Sequence, residues 1–200
     1  MLVLASSSPR RIELLQEWGY EFRVVQPSVS EEFSATELPE DIVQDLAKRK
    51  ALDGLEVWRS QQGLEADILL AADTIVVLDE RIFGKPASEE DARKMLQVLS
   101  GRTHKVMTAI ALADMGSDNQ SLSIDTSLDI TTVSFRDISD QEIWDYISTG
   151  EPMDKAAAYG IQGQAEKFVA WTQGSLTNVI GLPMELLSTK LQEKNVYPNR

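Results

Sequence analysis

The run from Ile68 to Leu78 reads Ile-Leu-Leu-Ala-Ala-Asp-Thr-Ile-Val-Val-Leu, an apolar stretch interrupted by Asp73. It is too short to span a bilayer, and its wealth of Ile, Leu and Val reads as a central strand. Inside such a run an unpaired carboxylate is strongly penalised, so Asp73 needs a partner, either a divalent cation or a lysine. The alternative is an aspartate at a strand end, capped by a backbone turn. After the run, Asp79-Glu80-Arg81 predicts a turn and Ile82 and Phe83 a short return, so the two form a hairpin. Two lysines are placed to meet Asp73. Lys85 follows the return in Phe83-Gly84-Lys85-Pro86, and Lys50 ends the helical stripe of Ile42, Val43, Leu46 and Ala47. Each lysine can equally lay its stem along apolar surface and send its ammonium to water.

Other elements follow from local signals. Leu2 to Ala5 reads as a buried strand, and Ser8, Pro9 and the spacing of Ile12, Leu15 and Trp18 predict a helix that stops at Gly19. Phe22 to Val25 reads as a short strand, and Gln26 to Glu37 as a loop before a helix opening near Pro39. Ser88 with Asp91 starts a helix whose stripe is Ala92, Met95, Leu96 and Leu99, ended by Gly101. Val106 to Ala113 and Ile130 to Phe135 are strand candidates separated by the polar Asp114 to Asp125. Ser139-Asp140-Gln141-Glu142 has the form of a capping box that opens a helix through Trp144 and Tyr146 to about Gly150. Lys167 to Trp171 and Thr177 to Ile180 read as shorter strands, and Pro183 opens a terminal helix through Leu186, Leu187 and Leu191. Strands and helices alternate, which gives an α/β class.

Composition limits what such a fold can do. At 200 residues, 42% hydrophobic and 26% charged, with no repeat and no Pro/Gly/Ser-rich linker, residues 1–200 are expected to form one domain. Zero cysteines exclude a disulfide framework, a thiol nucleophile and cysteine-held metals, and suit a reducing compartment. His104 is the sole histidine, so no multi-histidine metal site exists, and its place beside a strand reads as a surface or capping residue. With 19 Lys plus Arg against 32 Asp plus Glu, the formal charge of -13 repels phosphate backbones and anionic lipid. Neither nucleic acid nor a membrane is an expected partner. The N-terminal apolar run precedes its Arg10-Arg11 pair, the wrong order for a secretory signal, so a cytoplasmic location is expected.

Two further segments carry chemistry. In Ser6-Ser7-Ser8-Pro9-Arg10-Arg11 a capping turn leaves backbone N–H groups at the positive end of a helix, where arginines are electrostatically misplaced unless an anion such as phosphate binds. The plain alternative is a capped helix with two solvated arginines. Gly150-Glu151-Pro152-Met153-Asp154-Lys155 continues through Ala156 to Ala158 into Tyr159-Gly160-Ile161-Gln162-Gly163. The two glycines allow unusual backbone angles around Gln162, whose amide offers a donor and an acceptor, the complement of thymine or uracil. An ordinary turn with a surface Asp154–Lys155 pair is the competing reading. Glu31 lies in the polar run Ser28 to Phe33, where spacing alone predicts a solvated acid.

Taken together, Leu4 to Arg11, Ala72-Asp73-Thr74-Ile75-Val76, Gly84-Lys85-Pro86 and Asp154 to Gly163 resemble, in order, the motifs of the Maf family of nucleotide pyrophosphatases, first described as septum-formation inhibitor proteins. The Tyr159 to Gly163 loop is similar to the branch acting on dTTP and UTP rather than on 7-methyl-GTP. The resemblance implies an elongated mixed β-sheet flanked by helices, with two lobes around a cleft, and commonly a homodimer. It implies that Asp73 is the proton acceptor, that Arg11, Thr74 and Gln162 set base choice, and that Ser6, Arg10, Lys50 and Lys85 handle the phosphates; Lys50 and Lys85 are expected to be catalytic with Asp73, and Ser8 to join the substrate-binding residues. Glu31 is the match to the family's acidic loop residue, with Glu32 the alternative one position on, and with Asp73 Glu31 is expected to hold a divalent cation, Mg or Mn. The expected substrate is a nucleoside triphosphate, cleaved to monophosphate and pyrophosphate, and the alternative is a nucleotide-sensing regulator of cell division. Two departures stand out: Ala157 where that branch commonly has glycine, with a methyl expected to narrow the loop, and Ser30 where an acid often precedes the glutamate. On a regular strand Thr74 faces away from Asp73, so its role requires a bend or a strand end.

Overall fold

The computed structural model describes residues 1–30, 32, 37–62, 68–114 and 122–199. In chain order the elements are β1 (Leu2–Ala5), α1 (Pro9–Glu17), β2 (Phe22–Val25), α2 (Pro39–Gln62), β3 (Ile68–Leu78), β4 (Arg81–Phe83), α3 (Glu89–Leu99), β5 (Thr103–Asp114), β6 (Ser123–Phe135), α4 (Asp140–Ile147), β7 (Val169–Gln173), α5 (Leu176–Ile180) and α6 (Met184–Glu193). Short 3₁₀ turns at Glu151–Asp154, Ala156–Ala158 and Gln164–Phe168 join α4 to β7. The strands form one seven-stranded sheet in the order β2-β1-β3-β5-β6-β7, with β4 hairpinned onto β3. β1 runs parallel to β2 and β3, and the remaining pairings are antiparallel, so the sheet is mixed and the class α/β.

β3 reads as continuously apolar because both its faces are covered, as in the interior of α/β sheets. Leu69, Ala71, Ile75 and Val77 point to one face, where Val43, Ala47, Ala51, Leu55 and Trp58 of α2 pack on them. Leu70 and Ala72 point to the other, against Leu14 and Leu15 of α1 and Leu187 and Leu191 of α6. Further along, Val76 and Leu78 join a third cluster with Leu96 and Leu99 of α3, Tyr146 of α4 and Phe168. β3, β5 and β6 are 11, 12 and 13 residues long and run from one pair of clusters to the third. At the usual rise that is roughly 40 Å, which makes the two ends of the sheet two lobes.

The neighbours of β3 change partway along it. β1 accompanies it from Ile68 to Ala71, and β4 takes up the same edge at Val76. Between them no strand among the described residues accompanies Ala72 to Ile75 on that side, while β5 pairs with the other edge from Ile68 to Val77 without a break.

Local caps set the starts of α3 and α4. Ser88 Oγ accepts from the Asp91 N–H at the start of α3, and Ser139 and Glu142 complete a reciprocal capping box on α4. Four expectations need correction. The stripe of α2 does not end at Lys50 but continues through buried Ala51, Leu55 and Trp58. β6 begins at Ser123 rather than Ile130, because a half-buried strand next to β5 carries polar residues that look like a loop. Lys167 lies in a 3₁₀ turn, and the strand expected there is Val169–Gln173. Thr177 to Ile180 is helical: Ser175 Oγ accepts from the Asn178 N–H, and Gly181 at φ 123° ends the helix, so caps at both ends outweigh the β-branched Val179 and Ile180.

Gly54 sits where α2 crosses β1. A Cβ there would lie 2.5 Å from the Ala5 Cβ, so the helix reaches this depth only with glycine. Gly54→Ala is therefore expected to lower the urea midpoint of unfolding, by about 1–3 kcal/mol of overpacking, although alanine is the better helix former. An unchanged or raised midpoint would show that α2 can lift without cost.

A candidate active site at the open edge of the central strand

A cavity of about 590 Å³ opens beside the unaccompanied stretch of β3. Because no strand fills that edge, the cavity reaches both faces of β3. Asp73 lines it from one face and Thr74 from the other. No bend or strand end occurs at Thr74, so the access expected from such a break comes instead from the missing neighbour.

Asp73 is buried, at 6% exposure, on the α2 side. Its carboxylate is paired with the Lys50 ammonium, which α2 delivers on the face that packs on the sheet. This pair answers the sequence puzzle of a charge in an apolar run. Lys85, on the turn after β4, is exposed and lines the same cavity.

The other wall comes from the end of β1. Ser6 is buried, and its hydroxyl accepts from the Ser8 N–H at 3.1 Å. Ser8 holds the N-cap position of α1 with Pro9 after it, but its hydroxyl makes no capping bond. Arg10 and Arg11 leave the first turn in different directions. Arg10 forms an ion pair with Asp154 at 3.5 Å. Arg11 spends three donors on the protein: Nε to the Gly181 carbonyl at 2.7 Å, Nη1 to the Ala72 carbonyl at 2.9 Å and Nη2 to the Thr74 hydroxyl at 3.1 Å. The Ala72 carbonyl is an edge group of β3, so Arg11 takes over part of the work of the missing strand.

The loop carrying Gln162 closes the third side, with Gln162 itself exposed and lining the cavity. Of the two glycines beside it, only Gly163 has a positive φ, 111°. Gly160 provides space instead, since a Cβ there would meet Lys155 Cε at 2.7 Å. Lys155, expected only as half of a surface pair with Asp154, keeps that partner but lines the cavity, with its ammonium held by the Glu151 carbonyl and the Asp154 carboxylate at 2.7 Å each. Burial alone would push the Asp154 carboxyl up, but Lys155 and Arg10 hold it below the usual carboxylate range.

Ala157 and Ala158 have φ of 55° and 60°, left-handed values costing roughly 1–2 kcal/mol for a residue with a Cβ. The Ala157 methyl is buried in the third core cluster and is not among the residues that line the cavity. Its N–H donates to the Gly84 carbonyl at 2.9 Å, tying this loop to the Lys85 turn.

His104 also departs from expectation. It is 2% exposed within β5, its Nε2 lies 2.7 Å from the Tyr159 hydroxyl, and its ring packs edge-on against Phe135 and Tyr159. The histidine thus fixes the root of the Gln162 loop.

Arg10, Arg11, Lys50, Lys85 and Lys155 all line the cavity, against the carboxylates of Asp73 and Asp154. Among the described residues the site is cationic in a chain of net charge -13, the electrostatics of a polyanion site. Glu31, the expected second metal ligand, lies outside the described residues. Among the described residues no three His, Cys, Asp or Glu side chains gather around one point. A single buried carboxylate suits a hard cation that keeps most of its shell for water and phosphate oxygens.

Residues 1–194 match the family model described as Maf-like protein, and the chain belongs to the Maf family. It is 49% identical over 191 residues to a dTTP/UTP pyrophosphatase of Desulfitobacterium hafniense (strain Y51), covering 96% of this chain and 84% of that one. It is 47% identical over 193 residues to a dTTP/UTP pyrophosphatase of Thermococcus onnurineus (strain NA1), covering 96% and 97%. A dTTP/UTP pyrophosphatase of Bdellovibrio bacteriovorus is 43% identical over 192 residues, again covering 96% and 97%.

Burial pushes the pKa of His104 down to about 4, the Arg102 backbone offsetting only part of the effect. Between the ordinary value of 6.5 and about 4 the unfolded chain takes up a proton that the folded chain refuses. Stability is therefore lost as pH falls through that window, by up to about 3 kcal/mol from this residue. Urea unfolding from pH 7 to 4 should show a steeper decline for the unaltered protein than for His104→Asn, and parallel profiles would refute the assignment.

Proposed function

We propose that this chain hydrolyses dTTP and UTP to the nucleoside monophosphate and pyrophosphate. The observation that carries the reading is a single cavity in which the buried Asp73–Lys50 pair and four further cations meet the neutral hydrogen-bonding side chains of Thr74 and Gln162. The triphosphate belongs with the cations and the base with the neutral groups. The names of the similar proteins support dTTP and UTP as the substrates.

In the mechanism that follows, Asp73 orients a water molecule toward the α-phosphorus and accepts its proton. The new P–O bond forms at the α-phosphorus as the bond to the bridging oxygen breaks, and pyrophosphate leaves with the electron pair. Lys50 holds the Asp73 carboxylate in place. Lys85, Lys155 and Arg10 neutralise the phosphate oxygens, so positioning and charge carry most of the catalysis. Ser6 and Ser8 form the turn that presents the first N–H groups of α1 to phosphate. Arg11 acts on the base side, through Thr74. Asp73 and Glu31 would hold a Mg or Mn ion, which when bound would neutralise negative charge on the phosphates.

The same reading makes the chain a cytoplasmic enzyme of one domain, acting as a homodimer on free nucleotides rather than nucleic acid. Its lack of cysteine and its acidic charge support the first and last of these. Among the described residues no helix is long and apolar enough to cross a membrane.

Chromatography of the products from dTTP, UTP, CTP, ATP, GTP and 7-methyl-GTP, each with Mg or Mn, tests reaction and base together. TMP or UMP with pyrophosphate is the expected outcome. Asp73→Asn should lower kcat by about 10²- to 10⁴-fold while nucleotide binding persists. Near-normal turnover in that variant would remove Asp73 from the chemistry. Nucleotides bound but returned intact by the unaltered protein would make the chain a nucleotide-binding regulator instead.

A further inference from the structure

Thr74 is the half-exposed position in a strand that is otherwise buried from end to end, and its side chain lies against the cavity. Behind it stands Thr108, its cross-strand partner on β5, with no exposed surface. The two hydroxyl oxygens are 2.9 Å apart. Thr108 Oγ1 is also 3.0 Å from the Asn178 backbone carbonyl on α5. Asn178 is itself locked, with its side-chain amide donating to the Val106 carbonyl at 3.1 Å and the Thr131 hydroxyl at 2.8 Å.

Proton bookkeeping gives this chain a direction. A carbonyl oxygen only accepts, so the one proton of Thr108 goes to Asn178. The contact between the hydroxyls then requires Thr74 to donate its own proton to Thr108. Arg11 Nη2, which only donates, occupies one lone pair of Thr74. What Thr74 has left for the cavity is a single lone pair, and it faces a ligand as an acceptor only.

We propose that Thr108 is a positioning residue for base selection: by taking the Thr74 proton it makes Thr74 an obligate acceptor, which favours pyrimidines carrying an N3–H and disfavours cytosine. Uracil and thymine present a donor at N3, whereas cytosine presents a lone pair there, which would meet another lone pair. A free threonine hydroxyl could rotate to serve either base. The directed hydroxyl cannot, and an unmade hydrogen bond in a closed site discriminates more strongly than lost packing. Thr108 is too deeply buried to touch the substrate, so its influence passes through Thr74. The inference rests on the proposed dTTP/UTP hydrolysis and deepens it.

The test compares kcat/KM for UTP and CTP in the unaltered protein, Thr108→Val and Thr108→Ser. Valine keeps the shape and removes the acceptor, freeing the Thr74 proton. The UTP-to-CTP ratio is expected to fall at least about 10-fold in Thr108→Val and to return with Thr108→Ser, which restores the hydroxyl. Equal loss on both substrates, or an unchanged ratio, overturns the inference. Should Thr108→Val fail to fold, the unaltered protein supplies a second reading with N3-methyl-UTP, whose methyl replaces the N3–H. Turnover at least about 10-fold below UTP is expected, and turnover matching UTP overturns the inference. If the unaltered protein leaves UTP itself intact, the proposed function fails, and with it the premise. UTP hydrolysis with an indifferent Thr108→Val discards this step alone.

Discussion

A strand in the middle of a sheet that lacks a neighbour over part of one edge must satisfy its exposed backbone groups some other way. β3 is in that position from Ala72 to Ile75, where β1 has ended and β4 has not begun. The rest of the molecule is arranged around that vacancy. Arg11 supplies a donor to the Ala72 carbonyl from outside the sheet, and the same guanidinium reaches Thr74 and Gly181. Ion pairing with Lys50 lets Asp73 remain charged where its neighbours are hydrocarbon. Alternation along one strand thus places a carboxylate and a hydroxyl on opposite faces, and the gap lets one ligand meet both.

The walls that complete the cavity are held by short polar contacts more than by regular structure. Ala157 ties the Gln162 loop to the Lys85 turn, His104 and Tyr159 anchor its root, and Lys155 fills the space above Gly160. Two successive alanines in left-handed conformation are tolerated because the third core cluster encloses them. Backbone strain concentrated beside a site, and over-determined by packing, is where a fold stores precision in its loops.

Much of the frame was legible because its signals are local. The Ser88 and Ser139 caps, Pro9 at the start of α1 and the apolar run of β3 each announce their element within a few residues. The expectation failed where two local signals compete or where burial comes from afar. Val179 and Ile180 suggested a strand, but the caps at Ser175 and Gly181 prevailed. His104 looks peripheral until Phe135 and Tyr159 are folded over it. The motif residues Asp73, Lys50, Lys85, Arg10, Arg11, Thr74 and Gln162 do converge on one cavity. Lys155 reads from the sequence as half of a surface pair and Thr108 as an ordinary strand residue, because what each faces is set by the fold, the first by a turn and the second by a strand partner 34 residues away.

The contrast between an acidic exterior and a cationic hollow makes capture a short-range event. At physiological ionic strength charges are screened beyond about 8 Å, so a distant triphosphate is scarcely repelled by the surface and scarcely drawn by the cavity. Only on entering does it exchange the field of the whole chain for that of five nearby cations. Ambient salt is then a working part of the enzyme: it quiets the exterior enough for an anion to approach, while the partly enclosed interior retains its grip.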